Sequence, residues 1–105
     1  MTKSFIVYSP YPSKEEAKKA AMIAVEKNLA CCVNIYECQS VYVFEGEMAD
    51  HPEFVCYFKT LENKLDQLRA FIEETHPYSV PAVITLEISQ MNKKYFDWAK
   101  SELEC

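Results

Sequence analysis

Two side chains in this sequence, His76 and Cys32, have the chemistry needed to bind a metal ion. An imidazole nitrogen suits copper or zinc, and a thiolate favours Cu(I). The two residues form one site only if the fold brings them together. Each also has a structural interpretation: His76 ends a helix and fixes a turn with Pro77, and Cys32 is a buried, inert thiol.

No catalytic set emerges from the remaining residues, so we expect no enzymatic activity. The chain has a single glycine, Gly46, whereas loops that cradle phosphates need several. Ser9, Ser13 and Ser40 lack the flanking residues of a nucleophile elbow. A Cys–His pair is conceivable, but no third residue is placed by the sequence to orient it.

The charge balance argues against nucleic-acid partners, and the hydropathy pattern argues against membrane partners. The chain has 11 Lys and Arg against 16 Asp and Glu, for a net charge of −5. Nucleic-acid binders usually present a basic face, and the aromatic strand Phe54–Phe58 lacks the Lys/Arg-Gly-Phe that an RNA-recognition module of the RNP1 type would show. No apolar run approaches the length that spans a bilayer.

The cysteines indicate neither a disulfide framework nor a zinc knuckle. They are odd in number, and no pair has C-x-x-C spacing; they are Cys31, Cys32, Cys38, Cys56 and Cys105. Cys32 and Cys56 are expected to be buried, and Cys105 to be exposed. The N-terminal residues do not resemble a signal peptide, so we expect a cytosolic protein.

Residue patterns predict four strands and three helices. Ser13 and Glu16 have capping-box spacing at the start of the first helix, which carries a stripe of small residues: Ala17, Ala20, Ala21, Ala24 and Val25. The second helix shows one apolar face: Leu61, Leu65, Leu68 and Ile72. His76-Pro77 ends this helix, and Asn92 caps the third.

The predicted strands alternate with these helices: Ser4–Ser9, Cys31–Tyr36 continued past a kink by Val41–Phe44, Glu53–Thr60, and Ala82–Ile88. Pro10 and Pro12 stop the first strand. The connection between the second and third strands begins at Glu45-Gly46-Glu47 and is completed by Asp50-His51-Pro52. Neighbours on a regular strand point to opposite faces, so Cys31 and Cys32 should not line the same site.

This order predicts a single α+β domain over residues 1–105, with a ferredoxin-like βαββαβ sandwich, an antiparallel sheet and a C-terminal helix. Two runs, Val41–Phe44 and Phe54–Phe58, are apolar on both faces of a strand rather than alternating. The chain is too short to cover both faces with its own helices. The second cover is therefore expected to be another copy of the chain.

Five segments, in order and spread over nearly the whole chain, resemble the CutA divalent-cation tolerance proteins. Leu29–Ile35 is similar to that family's LAACVNI, and Lys59-Thr60 to its KT. Ser40–Glu47 resembles its S-x-Y-x-W-x-G-x, His76–Pro81 its HPYEVPE, and Tyr95–Trp98 its YLxWI.

The resemblance implies a fold like that of the PII signalling proteins and a homotrimer with sheets facing inward. It also implies a response to divalent metals, copper in particular. The bound copper or other divalent cation would be a cofactor that the chain does not need in order to fold. An alternative is a PII-like small-molecule sensor or signalling scaffold that uses clefts between subunits and no metal.

Four residues are candidates for such a cleft or interface: Phe44, Lys59, Tyr78 and Trp98. Lys59 could alternatively pair with Glu45 or Glu53. Ser79 and Ala82 stand where the family frequently has glutamates, and Phe44 stands where it has tryptophan. The loss of these carboxylates argues against a metal site in that loop.

Overall fold

The computed structural model describes residues 2–104 as one four-stranded antiparallel sheet with three helices. The elements are β1 (Ser4–Tyr11), α1 (Lys14–Glu26), β2 (Cys32–Phe44), β3 (Glu47–Leu61), α2 (Leu65–Thr75), β4 (Ile84–Ile88) and α3 (Lys93–Leu103). The strand order is β2-β3-β1-β4. The predicted α+β, ferredoxin-like arrangement is confirmed.

Helices α1 and α2 cover one face of the sheet and enclose the main core. The Ser13 side chain accepts a hydrogen bond from the Glu16 backbone N–H at 3.1 Å, so the predicted N-cap is formed. The four alanines of the stripe are buried and let the helix lie close to the sheet, whereas Val25 is exposed. Close approach brings the Cys56 Sγ within 3.5 Å of the Ala17 carbonyl oxygen. Burial raises the pKa of Cys56 to about 12.

The strand boundaries differ from the prediction in physically informative ways. β1 continues through Pro10 to Tyr11, because β4 pairs with it only as far as Tyr8 and leaves that side free of ladder hydrogen bonds. β2 is one continuous strand without the predicted kink, since every residue from Cys32 to Phe44 has a partner on β3. Leu61 ends β3 rather than starting α2.

A two-residue turn, Glu45-Gly46, joins β2 directly to β3. Both residues have positive φ, 52° and 81°, which is the conformation that closes a tight hairpin. The predicted longer connection through Asp50-His51-Pro52 is wrong, because these residues pair with Val41, Ser40 and Gln39.

This hairpin extends past the rest of the sheet. β1 pairs with β3 only up to Phe54, so residues 39–44 and 47–52 pair only with each other. We call these two segments and their turn the arm. Its large apolar side chains are exposed: Val41, Tyr42, Val43, Phe44 and Met48. As predicted for residues 41–44, a large part of each of these side chains is left uncovered within residues 2–104.

The sheet face opposite α1 and α2 is only partly covered. α3 closes one end of it, where Leu61, Ala99 and Leu103 are buried together. The run Phe54–Phe58 departs from the prediction, because Val55 on this face is already 3% exposed in one chain. Elsewhere the face remains open, with Tyr36, Ile84 and Leu86 exposed.

Within residues 2–104, no helix combines the length and apolar character needed to cross a membrane. The prediction for Cys105 concerns a residue outside the described range.

We expect Ser13→Ala to lower the free energy of unfolding by about 1 kcal/mol, because the Glu16 N–H loses its capping acceptor. Ser13→Thr keeps a hydroxyl at the cap and should retain most of the stability. Urea unfolding at one fixed protein concentration measures both. Equal losses in the two variants would contradict the capping role.

Candidate functional site

A cleft of about 510 Å³ lies where the arm leaves the sheet. Its walls come from the end of β1, the arm and the loop that follows α2. The lining residues are Pro10, Tyr42, Phe44, Glu53, Pro77, Tyr78, Ser79, Val80 and Ala82. The volume is that of a pocket for a small organic molecule.

Glu53 is the one charged residue among the described residues that line the cleft. It is 5% exposed, and its Oε2 accepts a hydrogen bond from the Tyr78 hydroxyl at 2.5 Å. Burial, together with the Glu53 carboxylate, raises the pKa of Tyr78, so the phenol stays protonated and remains a donor. The cleft therefore presents a fixed carboxylate.

His76 lies behind Tyr78 and holds it in place. Its backbone is extended after the last turn of α2, as expected for a residue before proline. The ring stacks on Tyr11 with centroids 4.2 Å apart. Its Nε2–H donates to the Pro10 carbonyl oxygen at 2.8 Å, and Nδ1 accepts from the Tyr78 backbone N–H at 3.1 Å. These two partners define a neutral ring with the proton on Nε2.

Both nitrogens of His76 are thus occupied by the backbone, which matches the structural interpretation of this residue as the fixer of the turn at Pro77. Burial lowers the pKa of His76, although the Pro10 carbonyl and the carboxylates of Glu53 and Glu16 oppose this shift. Coordination of a metal by His76 stays a prediction, and it requires one of the two hydrogen bonds to break.

Cys32 lies at the other end of the sheet, beside Cys31. The two thiols share one cluster with α3, contrary to the expectation that they face opposite ways. The reason is that β2 begins at Cys32, so Cys31 precedes the strand and escapes its alternation. The Sγ of Cys31 donates to the Lys59 carbonyl oxygen at 3.4 Å.

Tyr95 lies against the same two thiols. Its hydroxyl is buried and, within residues 2–104, has no hydrogen-bond partner. Burial and the adjacent thiols of Cys32 and Cys31 raise the pKa of Tyr95. Cys32 itself is half-buried rather than enclosed.

One chain does not bring Cys32 and His76 together. Cys32 pairs with Lys59, which lies opposite Ile6, whereas His76 binds Pro10 further along β1. In the described range 2–104, no group of three or more His, Cys, Asp or Glu side chains is placed to hold a metal ion. Of the two predicted ligands, the chemistry of Cys32 with its neighbouring thiol suits a soft ion.

The four predicted cleft or interface residues fall into two places. Phe44 and Tyr78 line the cleft described above. Lys59 and Trp98 lie around Tyr95: the Lys59 Nζ is 5.4 Å from the Tyr95 ring centroid, and the Trp98 ring is also 5.4 Å from it. Among the described residues, Lys59 forms no ion pair with Glu45 or Glu53.

Sequence reasoning missed Glu53 as the centre of the cleft. The sequence did carry a hint: Glu53 directly precedes the apolar run Phe54–Phe58, and glutamate is rare in a buried strand unless it has a partner. Its partner Tyr78 lies 25 residues away, and no local pattern links the two.

Comparisons with known proteins agree with this architecture. The family model described as CutA1 divalent ion tolerance protein matches residues 5–102. The divalent-cation tolerance protein CutA of Thermotoga maritima is 33% identical over 98 residues, covering 93% of this chain and 97% of that protein. The chloroplastic protein CutA 1 of rice is 39% identical over 99 residues, covering 93% of this chain and 56% of that protein. The solved structure of CutA from Synechococcus elongatus superposes with a TM-score of 0.93 at 33% identity, covering 96% of this chain and 90% of that one.

We expect the buried His76 to make the protein less stable as the pH falls below about 6.5. Its folded-state pKa lies below the ordinary value of 6.5, so the unfolded chain binds the proton first and is favoured by acid. The stability is present above pH 6.5 and is lost as the pH falls toward the folded-state pKa. Denaturant unfolding between pH 7.5 and 5 measures this slope.

His76→Gln should flatten that slope relative to the unmodified chain. His51→Gln is the matched control, because it removes the other histidine, which lies on the arm and hydrogen-bonds Tyr42. Equal flattening in both variants would argue against a specific contribution from His76.

Proposed function

The chain belongs to the CutA1 divalent ion tolerance family, and from this premise we propose that it acts as a homotrimer that binds copper or another divalent cation and catalyses no reaction. Membership of the family supports a role in metal tolerance. The observation that carries the proposal is the match over residues 5–102, together with a likeness in fold to CutA structures along nearly the whole chain.

Self-association is supported by the apolar surface that one chain leaves uncovered. Val41, Val43 and Met48 on the arm are each about two-thirds exposed, at 66%, 64% and 70%. Leaving a large apolar side chain fully in water forfeits roughly 1.5–3 kcal/mol, so these three, at two-thirds exposure, together forfeit roughly 3–6 kcal/mol. That loss is a large part of the stability of a typical domain, which is about 5–15 kcal/mol. Burial against further copies of the chain recovers it.

Copper binding is supported by the soft donors around Cys32. Cys31 supplies a second thiol in the same cluster, and thiolates are the ligands that Cu(I) prefers. On binding there, a soft ion would displace the thiol protons, and the two cysteines would act as thiolate ligands. The main apolar core contains neither Cys31 nor Cys32, in keeping with a metal that folding does not require.

The absence of catalysis is supported by how the polar side chains are used. The Ser9 hydroxyl donates to the Ala82 carbonyl oxygen at 2.7 Å, and both His76 nitrogens serve the backbone. Neither residue has the free base or nucleophile that covalent catalysis needs.

A cytosolic location without nucleic-acid or membrane partners completes the proposal. The four described cysteines, Cys31, Cys32, Cys38 and Cys56, are free thiols, as suits a reducing compartment. The net charge of −5 opposes attraction to nucleic acid.

A second candidate function, a PII-like small-molecule sensor, is favoured by one observation. The cleft at the base of the arm is of ligand size and holds a buried carboxylate. A small molecule that copurifies with the protein and contacts Tyr78 or Glu53 would support this function.

We expect sedimentation equilibrium at micromolar concentration to give three times the 12.2 kDa mass of one chain. Val43→Lys should shift the protein toward smaller species, because a buried lysine without a partner costs at least about 2 kcal/mol. Met22→Lys makes the same kind of change on α1, at a side chain of similar exposure, and should leave the mass unchanged. A compact monomer before any substitution would contradict the trimer.

We expect Cu(I), titrated anaerobically under reducing conditions, to bind Cys32 in the full chain. Cys32→Ser should weaken binding by about tenfold or more, because it replaces a soft ligand with a hard one. Cys38→Ser is the control, since that thiol lies elsewhere on β2 beside Ser40. Isothermal titration calorimetry measures both. Equal affinities in the two variants would contradict the assignment of Cys32.

A further inference from the structure

Among residues 2–104, the carboxylate of Glu53 in the cleft has no cationic partner. The two ion pairs among residues 2–104 are Lys93–Asp97 and Lys100–Glu104, both on or next to α3. Glu53 instead has the Tyr78 hydroxyl on Oε2. A buried charge that is compensated by one neutral donor carries a cost in free energy, which a ligand of opposite charge would offset.

The second carboxylate oxygen of Glu53 is available to such a ligand. Within the described chain Oε1 has no hydrogen-bond partner. The fully enclosed side-chain atoms that lack partners are the hydroxyl oxygens of Tyr11 and Tyr95. Because Oε1 is not one of them, it is not fully enclosed, and Glu53 lines the cleft.

Three aromatic residues line the same cleft as Glu53. Tyr42 and Phe44 lie on the same face of the hairpin as Glu53, because β2 alternates and Cys38 stands directly opposite Glu53. Tyr78 completes the aromatic lining. Ring faces attract cations, and the attraction strengthens where water is excluded.

We propose that this cleft binds a small organic ammonium ion, a primary amine whose N–H donates to Glu53 Oε1 while its positive charge faces the rings of Tyr42, Phe44 and Tyr78. The inference rests on the second candidate function, the small-molecule sensor, and names the class of ligand. Val80 and the prolines of the lining give the alkyl part an apolar contact.

Other ligand classes fit the described lining less well. It contains no Lys or Arg, so an anion would meet only the negative charge of Glu53. A divalent metal ion would have one carboxylate ligand, since Glu53 is the one His, Cys, Asp or Glu among the described lining residues of the cleft. A guanidinium would normally take both carboxylate oxygens, and one of them is already used by Tyr78.

The site is organised before the ligand arrives. Tyr78 is held at its backbone N–H by His76, and His76 is held by Pro10 and by stacking on Tyr11. Fixed partners of this kind reduce the cost of ordering the site on binding.

The test is an NMR titration of the full chain at pH 7 with three probes of equal size: n-butylamine, butyrate and n-butanol. We expect butylamine alone to shift the backbone amide signals of Tyr78, Ser79 and Val80 in a saturable way. Saturable binding of butyrate or butanol without butylamine would overturn the ammonium assignment while leaving the sensor function intact. No saturable shift from any probe would overturn the inference, and the search for copurified ligand tests the sensor function separately.

Glu53→Gln keeps an acceptor for the Tyr78 hydroxyl but removes the charge, and it should weaken butylamine binding about tenfold or more. Glu47→Gln removes one carboxylate from an exposed position near the tip of the arm and should leave the affinity unchanged. Equal effects of the two variants, or none in Glu53→Gln, would overturn the proposal.

Phe44→Leu tests the aromatic contribution at a side chain that is 45% exposed, where leucine keeps an apolar group. We expect roughly two- to fivefold weaker butylamine binding, with n-butanol still giving no saturable shift. This measurement decides the question even if Glu53→Gln fails to fold. An unchanged affinity for butylamine in Phe44→Leu would count against the cation contact.

Discussion

The unbroken pairing of β2 with β3 is the constraint on which the rest of the structure depends. All 13 residues of β2 have a partner, from Cys32 opposite Lys59 to Phe44 opposite Glu47. Because β1 stops pairing with β3 at Phe54, the far half of the hairpin leaves the sheet as an arm. The same pairing supplies a wall of the cleft, the exposed apolar residues of the arm, and the strand end against which α3 packs.

The loop after α2 shows how a histidine with metal-ligand chemistry can serve the fold instead. His76 joins the loop after α2 to the end of β1, through Tyr78 on one side and Pro10 and Tyr11 on the other. Through Tyr78 it also fixes the direction of the Glu53 carboxylate. The predicted metal ligands therefore separate into two regions with different chemistry, a buried neutral ring at one end of the sheet and a pair of thiols at the other.

Much of the fold could be predicted because its signals are local. The cap at Ser13 and the alanine stripe depend on spacing within one helix, and the proline after His76 restricts its immediate neighbour. Pro52 was misleading for the opposite reason. It is a turn former by composition, but it lies in a strand at a point where β3 has a neighbour on one side only, so a missing N–H is tolerated.

The candidate site was harder to predict, since its contacts join residues that are distant in sequence. Glu53 and Tyr78 meet only because the end of α2 returns to the base of the arm. Cys31 and Cys32 lie in one cluster because β2 begins at Cys32. A strand that began one residue earlier, as predicted, would have placed the Cys31 side chain on the opposite face of the sheet from Cys32. Neither contact has a periodicity that a sequence pattern could reveal.

The tight turn at Glu45-Gly46 has a consequence for how this family of chains can diverge. Gly46 needs its positive φ but has nothing within 4 Å of where a Cβ would stand, so the turn is limited by backbone conformation rather than by space. One extra or missing residue there that shifted the pairing of β2 would exchange the two faces of the arm. Tyr42 and Phe44 would then point away from Glu53. We therefore expect related sequences to vary freely in side chains at this tip while rarely gaining or losing a single residue.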